Sequence, residues 1–202
     1  MTNTAAASPR LVIVDRVIPR SLVSDVVLVV AGAGITAALA QVVIPMWPVP
    51  ITGQTLAALL VGASLGWLRG AGAIALYAVV GLLGAPVAAP SADGGHLTGL
   101  AWLAAPSFGY VIGMVLAAAL IGWLAQLRWD RRVWQAVIAF LAGSIVIYAV
   151  GLPWLAAVTQ GTPEQVLAWG LTPFLIGDLV KAVIAGALLP AAWWAVRRIK
   201  GA

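Results

Sequence analysis

The sequence predicts an all-α integral membrane protein of six transmembrane helices with both termini on the cytoplasmic side. Three observations lead there. Of 202 residues, 63% are hydrophobic and only 8% charged, whereas a soluble domain carries about a quarter of its residues charged. The apolar residues gather into six runs near the ~20 residues that a helix needs to cross hydrocarbon. The basic residues collect on one side of the arrangement that six crossings produce.

The runs cover residues 26–44, 53–68, 70–87, 106–127, 133–158 and 171–196. The second and third are short and the fifth is long. Residues 1–25 form a mixed leader carrying Arg10, Arg16 and Arg20, and residues 26–202 form the membrane domain. The first apolar run starts well inside the chain and is too long for a signal-peptide core. Alternation of polar and apolar residues is lacking, which disfavours an outer-membrane barrel. With no cysteine, disulfides and thiolate metal sites are excluded.

Six crossings put both termini on one side, with the loops after the second and fourth runs. That side holds Arg10, Arg16, Arg20, Arg69, Arg128, Arg131, Arg132, Arg197, Arg198 and Lys200, while loops 45–52, 85–105 and 159–170 hold no lysine or arginine. The positive-inside rule makes the basic side cytoplasmic. The net charge of +5 is therefore topological and does not call for nucleic acid. Most of the ten tryptophans fall near run ends, as an aromatic belt would. Arg128, Arg131 and Arg132 form a cluster suited to the anionic lipid surface.

One basic residue remains, Lys181, three positions after Asp178 in the outer half of the sixth run. Each charge near a helix centre costs roughly 2.5–3.5 kcal/mol on insertion scales. Residues i and i+3 share a helix face, so both side chains point to one place. A structural salt bridge is one reading. A proton relay would need carboxylates in other runs, which have none. The third reading is an outward-opening pocket offering an acceptor and a donor to a small ligand. The outer loop 85–105, rich in Gly and Pro and holding the only histidine, His96, would help close it.

Two further patterns bear on function. Gly62, Ala63, Ser64, Leu65 and Gly66 spell GxSxG, the nucleophile-elbow pattern, but the one histidine lies in a distant loop and small residues so spaced serve helix packing. The first run contains Ala33, Gly34, Ala37 and Ala38 at one-turn spacing, a small-residue face on which another helix could dock or pack. No Walker A pattern occurs, so the chain is not itself an ATPase.

The elements VPITGQTLAALLVG (49–62), LLGAPV (82–87), APSFGYVIGM (105–114) and FLIGDLVKA (174–182) together resemble the BioY family of biotin uptake proteins, in that family's order. The resemblance implies a six-helix substrate-binding subunit, or S component, of an energy-coupling-factor vitamin transporter. It would be non-enzymatic, sit in the bacterial cytoplasmic (inner) membrane and need no cofactor. It would bind biotin and work with a transmembrane coupling protein and two ATPase subunits, which use the ATP. An S component for another small vitamin is the nearest alternative, and an intramembrane hydrolase a more distant one.

Carried over by residue, the family's Gly-Asp-x-x-Lys signature matches Gly177, Asp178 and Lys181 as ligand contacts. Its Pro-Val-Pro-Ile-Thr-x-Gln stretch ends on Gln54. Its Gly-Pro-[Thr/Ser]-Gly-Gly-Tyr turn appears as Ala105, Pro106, Ser107, Phe108, Gly109 and Tyr110, with two glycines replaced. Where members often carry a ligand-binding asparagine before two glycines, this chain has Asp93 before Gly94 and Gly95. Aspartate keeps an acceptor and loses the amide donor. In S components a small-residue face on the first helix is the docking surface for the coupling protein, which assigns that role to Gly34, Ala38, Ala33 and Ala37.

Overall fold

The computed structural model describes residues 11–91 and 94–199, so Arg10, Asp93 and Lys200 lie outside the described residues. Among the described residues the architecture is helical apart from one small hairpin and an isolated bridge between Pro90 and His96. Helix α1 (Leu22–Ala40) begins four residues earlier than the hydropathy suggests, because Ser21 and Ser24 form a reciprocal capping box. It also ends earlier. Val43–Ile44 (β1) leaves the helix and pairs antiparallel with Ile51–Thr52 (β2), as β-branched residues before a proline favour.

Helices α2 (Gln54–Leu65) and α3 (Trp67–Leu82) follow. Gly66 between them has φ of +86°, a conformation that suits glycine and separates the two helices. At 12 and 16 residues they are about 18 and 24 Å long, short of the ~30 Å hydrocarbon thickness. The outer loop contributes a five-residue helix, α4 (Gly99–Leu103). Then come α5 (Phe108–Gln126), α6 (Val133–Thr159), the short α7 (Pro163–Gly170) and α8 (Phe174–Ile199).

Four stretches of the described residues are long and apolar enough to cross a membrane: α1, α5, α6 and the α7–α8 stretch. The protein is therefore a multi-pass membrane protein. Helices α2 and α3 occupy the second and third predicted runs as shorter apolar helices.

Helix α5 lies at the centre, packed on α2, α3 and α6, while α1 leans on α3 and α8 on α6 and α2. Small residues set these distances. A Cβ on Gly113 would lie 2.8 Å from the Ile147 Cα, and one on Gly62 would lie 2.9 Å from the Ala118 Cα. Gly70 abuts Gly62 in turn. Backbones approach that closely only where side chains are absent, which is how helices associate without a hydrophobic driving force. The outward faces are apolar as well, with Val26, Ile35, Ile145, Ile176 and Val183 all exposed, as lipid contact requires.

The leader is seated on the bundle from Leu11 onward. Val12 is fully buried in the main core. Asp15 ties the segment down, accepting from Arg20 Nε at 2.9 Å and Arg69 Nη2 at 2.6 Å, and Arg69 also reaches Asp25 at 3.0 Å. Burial pushes the Asp15 carboxyl upward, but the hydrogen bonds from Arg20 and Arg69 outweigh it and hold the group below its ordinary value. Arg16, Arg128 and Arg197 surround Arg131 electrostatically. The arginines of separate loops thus gather at one end.

Two tryptophans assigned to a belt turn out to be interior. Trp102 and Trp193 are each 3% exposed. Trp102 meets Tyr77 and Phe108 edge-on at 5.6 and 5.2 Å, and Gly81 makes room for its ring. Trp193 donates to Asp130 Oδ2 at 2.5 Å while Arg131 stacks over it at 4.2 Å.

Candidate functional site

At the end opposite the arginine cluster, the first turns of α2 and α8 meet the middle of α6 under the hairpin and the outer loop. They enclose a cavity of about 220 Å³. A single water needs only ~10–15 Å³ by the same kind of measure, so the space suits a small organic molecule. Its wall is mostly apolar, with Trp47, Val49, Trp102, Met114, Ile147 and Phe174 contributing, and a few polar groups converge at its floor. That composition is typical of ligand sites.

The polar floor is built by three helices. On α8 the buried residues Phe174, Asp178, Ala182, Ala185 and Leu189 form one stripe at helical spacing, so Asp178 faces inward among apolar neighbours. Lys181 shares this face and is half-buried. The two form an ion pair longer than a direct hydrogen bond, with Lys181 Nζ 3.6 Å from Asp178 Oδ1. Each charge has another partner. Tyr148 on α6 donates its hydroxyl proton to Asp178 Oδ2, and Lys181 Nζ donates to Thr55 Oγ1 on α2 at 2.7 Å.

Gln54 also lines the cavity, 7% exposed. Its carboxamide is held at both ends: Oε1 accepts from Thr52 Oγ1 at 2.9 Å, and Nε2 donates to the Tyr77 hydroxyl, which donates onward to the Val87 carbonyl at 3.2 Å. The network joins the hairpin, α2, α3 and the outer loop at the cavity's edge. One amide hydrogen and one acceptor lone pair of Gln54 remain for other use.

Tyr110 is buried and borders the cavity. Its hydroxyl is committed to the Gly170 carbonyl at 2.9 Å, and its ring stacks on Phe174 with centroids 6.3 Å apart. It therefore presents a ring rather than a hydroxyl. Asp93 lies outside the described residues, though Ser91 nearby lines the rim. His96 is exposed, bonded through Nδ1 to the Ala88 carbonyl at 2.8 Å, and is not among the residues lining the cavity.

Asp178, Lys181, Gln54 and Tyr110 are thus brought together. Sequence reasoning missed Thr55, Tyr148 and Ser144, all of which line the same space. Thr55 sits one residue past Gln54 in the quoted stretch, so its place was within view. Nothing in the spacing of Tyr148 or Ser144 marks them. At the mouth, Trp47 is 74% exposed and meets Trp169 of α7 edge-on at 5.2 Å.

The four small residues of α1 divide. Ala33 is buried and Ala37 packs against the core cluster containing Tyr77 and Trp102, whereas Gly34 and Ala38 are exposed. A Cβ on Gly34 would meet nothing within 4 Å. Only Gly34 and Ala38 are open to an outside partner. The GxSxG pattern is a packing face: Gly62 meets α5 and Gly70, and Gly66 breaks the helix. Ser64 has no imidazole near it in the way a serine nucleophile requires, since His96 belongs to the outer loop.

Comparison with known proteins gives one answer. The family model described as the BioY family matches residues 6–198. The chain is 33% identical over 158 residues to a protein named biotin transporter BioY2 from Lactococcus lactis, covering 78% of this chain and 83% of that one. It is 37% identical over 150 residues to the biotin transporter BioY of Rhodobacter capsulatus, covering 68% and 75%. The crystal structure of the S-component for biotin from an ECF-type ABC transporter superposes with a TM-score of 0.69 over 89% of this chain and 92% of that one, at 24% identity, so the fold is shared. With the family model spanning nearly the whole chain and the curated relatives covered over most of their length, this chain belongs to the BioY family.

Proposed function

We propose that this protein is the biotin-binding membrane subunit of an energy-coupling-factor transporter and performs no chemistry on its ligand. The observation that carries the reading is the floor of the cavity, where an acidic and a basic side chain stand side by side in an otherwise apolar space. The fused ureido ring of biotin presents N–H donors beside a carbonyl acceptor, so one rigid head satisfies Asp178 and Lys181 together. A carboxylate there would pair with Lys181 and bring a like charge against Asp178. The apolar walls suit the rest of the ligand, with Gln54 and the Tyr110 ring at its sides, and Asp93, at the position of the family's asparagine, is a further ligand contact in this proposal.

In this reading α1, α2, α3, α5, α6 and α8 are six crossings. The arginine end is cytoplasmic by the positive-inside rule, and the cavity opens outward from a bacterial cytoplasmic membrane. Gly34 and Ala38 form the open part of the surface that receives the transmembrane coupling protein, while Ala33 and Ala37 seat α1 so that this surface faces out. Two ATPase subunits on the far side of the coupling protein would supply the energy.

Calorimetry of the purified protein against a panel of vitamins tests the substrate. Asp178→Asn and Lys181→Ala are each expected to insert and purify yet bind biotin about 100-fold or more weakly, because truncating one partner of a buried charged pair costs ~2–5 kcal/mol. Biotin methyl ester is expected to keep binding, and an analogue with blocked ureido nitrogens to lose it. The reverse pattern would make Lys181 a carboxylate anchor. Wild-type affinity in both variants would remove the site altogether.

A further inference from the structure

Asp178 and Lys181 lie three residues apart on one helix, a spacing at which oppositely charged side chains readily touch. A contacting N⁺–H···O⁻ pair closes to about 2.7–2.9 Å, and in an apolar surrounding the pull to close is stronger than in water. The observed separation is 3.6 Å. Each partner is drawn off by a neutral hydroxyl from a different helix: Tyr148 of α6 holds Asp178 Oδ2, and Thr55 of α2 holds Lys181 Nζ.

We propose that Tyr148 and Thr55 are positioning residues that hold this ion pair apart at 3.6 Å, so that a ligand meets an acceptor and a donor not yet joined by a short hydrogen bond. The two hydroxyls divide the work. Tyr148 occupies one carboxylate oxygen and leaves Oδ1 facing the gap. Thr55 takes one of three ammonium hydrogens and leaves two. A closed pair would have to be broken before a cyclic urea could bind, and that cost would be subtracted from its affinity. The inference rests on the biotin reading for its ligand, but the state of the pair can be measured without any ligand.

The hydroxyls act on one shared pair, so their removal should not add. Tyr148→Phe and Thr55→Val are each expected to weaken biotin binding about tenfold, and the double variant hardly more than either single one, whereas independent contacts would multiply to about a hundredfold. Thr55→Ser, which keeps the hydroxyl, should restore wild-type affinity. Multiplicative losses would show that the two residues touch the ligand independently, and unchanged affinity in the single variants would show that they hold nothing; either overturns the proposal.

Lys181 and Lys200 are the only lysines, which permits a ligand-free readout. In a Lys200→Arg background, a small amine-directed reagent should label Lys181 several-fold more slowly in Tyr148→Phe and Thr55→Val, because the pair has closed. Equal labelling rates would overturn the proposal even if Tyr148→Phe proved hard to purify, since Thr55→Val alone carries the test. If the wild type failed to bind biotin while the two variants still showed the slowed labelling, the biotin reading would fall and the open pair would stand.

Discussion

Helices α1 and α5 are each 19 residues long with the same mean hydropathy of 2.1, yet 11% of one and 61% of the other is buried inside the protein. Hydropathy says only that both belong among lipid tails. What separates them is where a side chain is missing. On α5, Gly109 accommodates the Trp154 ring, Gly113 the Ile147 backbone and Gly122 the turn at Gly66 and Trp67, so three neighbours close in. On α1, Gly32 takes up contact with Ala73 and Val61, while Gly34 faces outward with nothing near it. In a bilayer, buried surface is selected by shape, since apolar contact is available everywhere.

The sharpest way to break this contrast is a bulky residue on each helix. Gly113→Leu is expected to abolish production of monodisperse protein in detergent, because its Cβ alone would sit 2.8 Å from the Ile147 Cα and carbonyl oxygen, and overpacking against backbone exceeds the ~1–3 kcal/mol of ordinary core cases. Gly34→Leu and Ala38→Leu should leave yield, melting temperature and biotin binding as in the wild type. Uptake by cells that express the coupling module should nevertheless fall about tenfold or more, as expected when a close helix approach is blocked. Damage to binding equal to that of uptake would mean that the outer face of α1 is part of the fold.

Smaller effects sharpen the boundary. Ala33 is 8% exposed, so Ala33→Leu, one position from Gly34, is expected to cost about 1–3 kcal/mol and lower the melting temperature, with uptake and binding falling only as far as stability does. Asp15→Asn should have the mildest consequence, and it depends on pH. A carboxyl whose folded value lies below its ordinary 3.8 stabilises the fold above that pH and ceases to do so as the pH falls through the folded value. Melting curves of Asp15→Asn and wild type should therefore differ at neutral pH and converge below 3.8.

Much of this was legible in the sequence because charge in an apolar run is conspicuous. Asp178 and Lys181 stood out and both line the cavity, and the arginine loops marked the opposite end. Thr55 stood within view beside Gln54, but its contact with Lys181 and that of Tyr148 with Asp178 were not legible, since the partners lie 126 and 30 residues away and neither threonine nor tyrosine is unusual in a membrane helix. The six runs survived as helices, but their limits moved where local chemistry outweighed hydropathy: the Ser21 cap at one end of α1, the β1–β2 hairpin at the other, and the left-handed Gly66 between α2 and α3. Tryptophan position proved ambiguous. Trp47 reaches across the cavity mouth and Trp102 supports its wall, although both had the address of a belt residue.

The shortness of α2 bears on how far a captured molecule must travel. Its second residue, Thr55, holds Lys181 at the cavity floor, and its last, Leu65, receives Arg69 Nε at 2.9 Å on the arginine side. Ten residues of helix separate those points, about 15 Å, against a hydrocarbon layer of ~30 Å. With the arginine side cytoplasmic, as proposed, about three helical turns of protein would separate a ligand on that floor from that side. A transport cycle of the proposed kind would need to move only those turns aside, not the whole bundle.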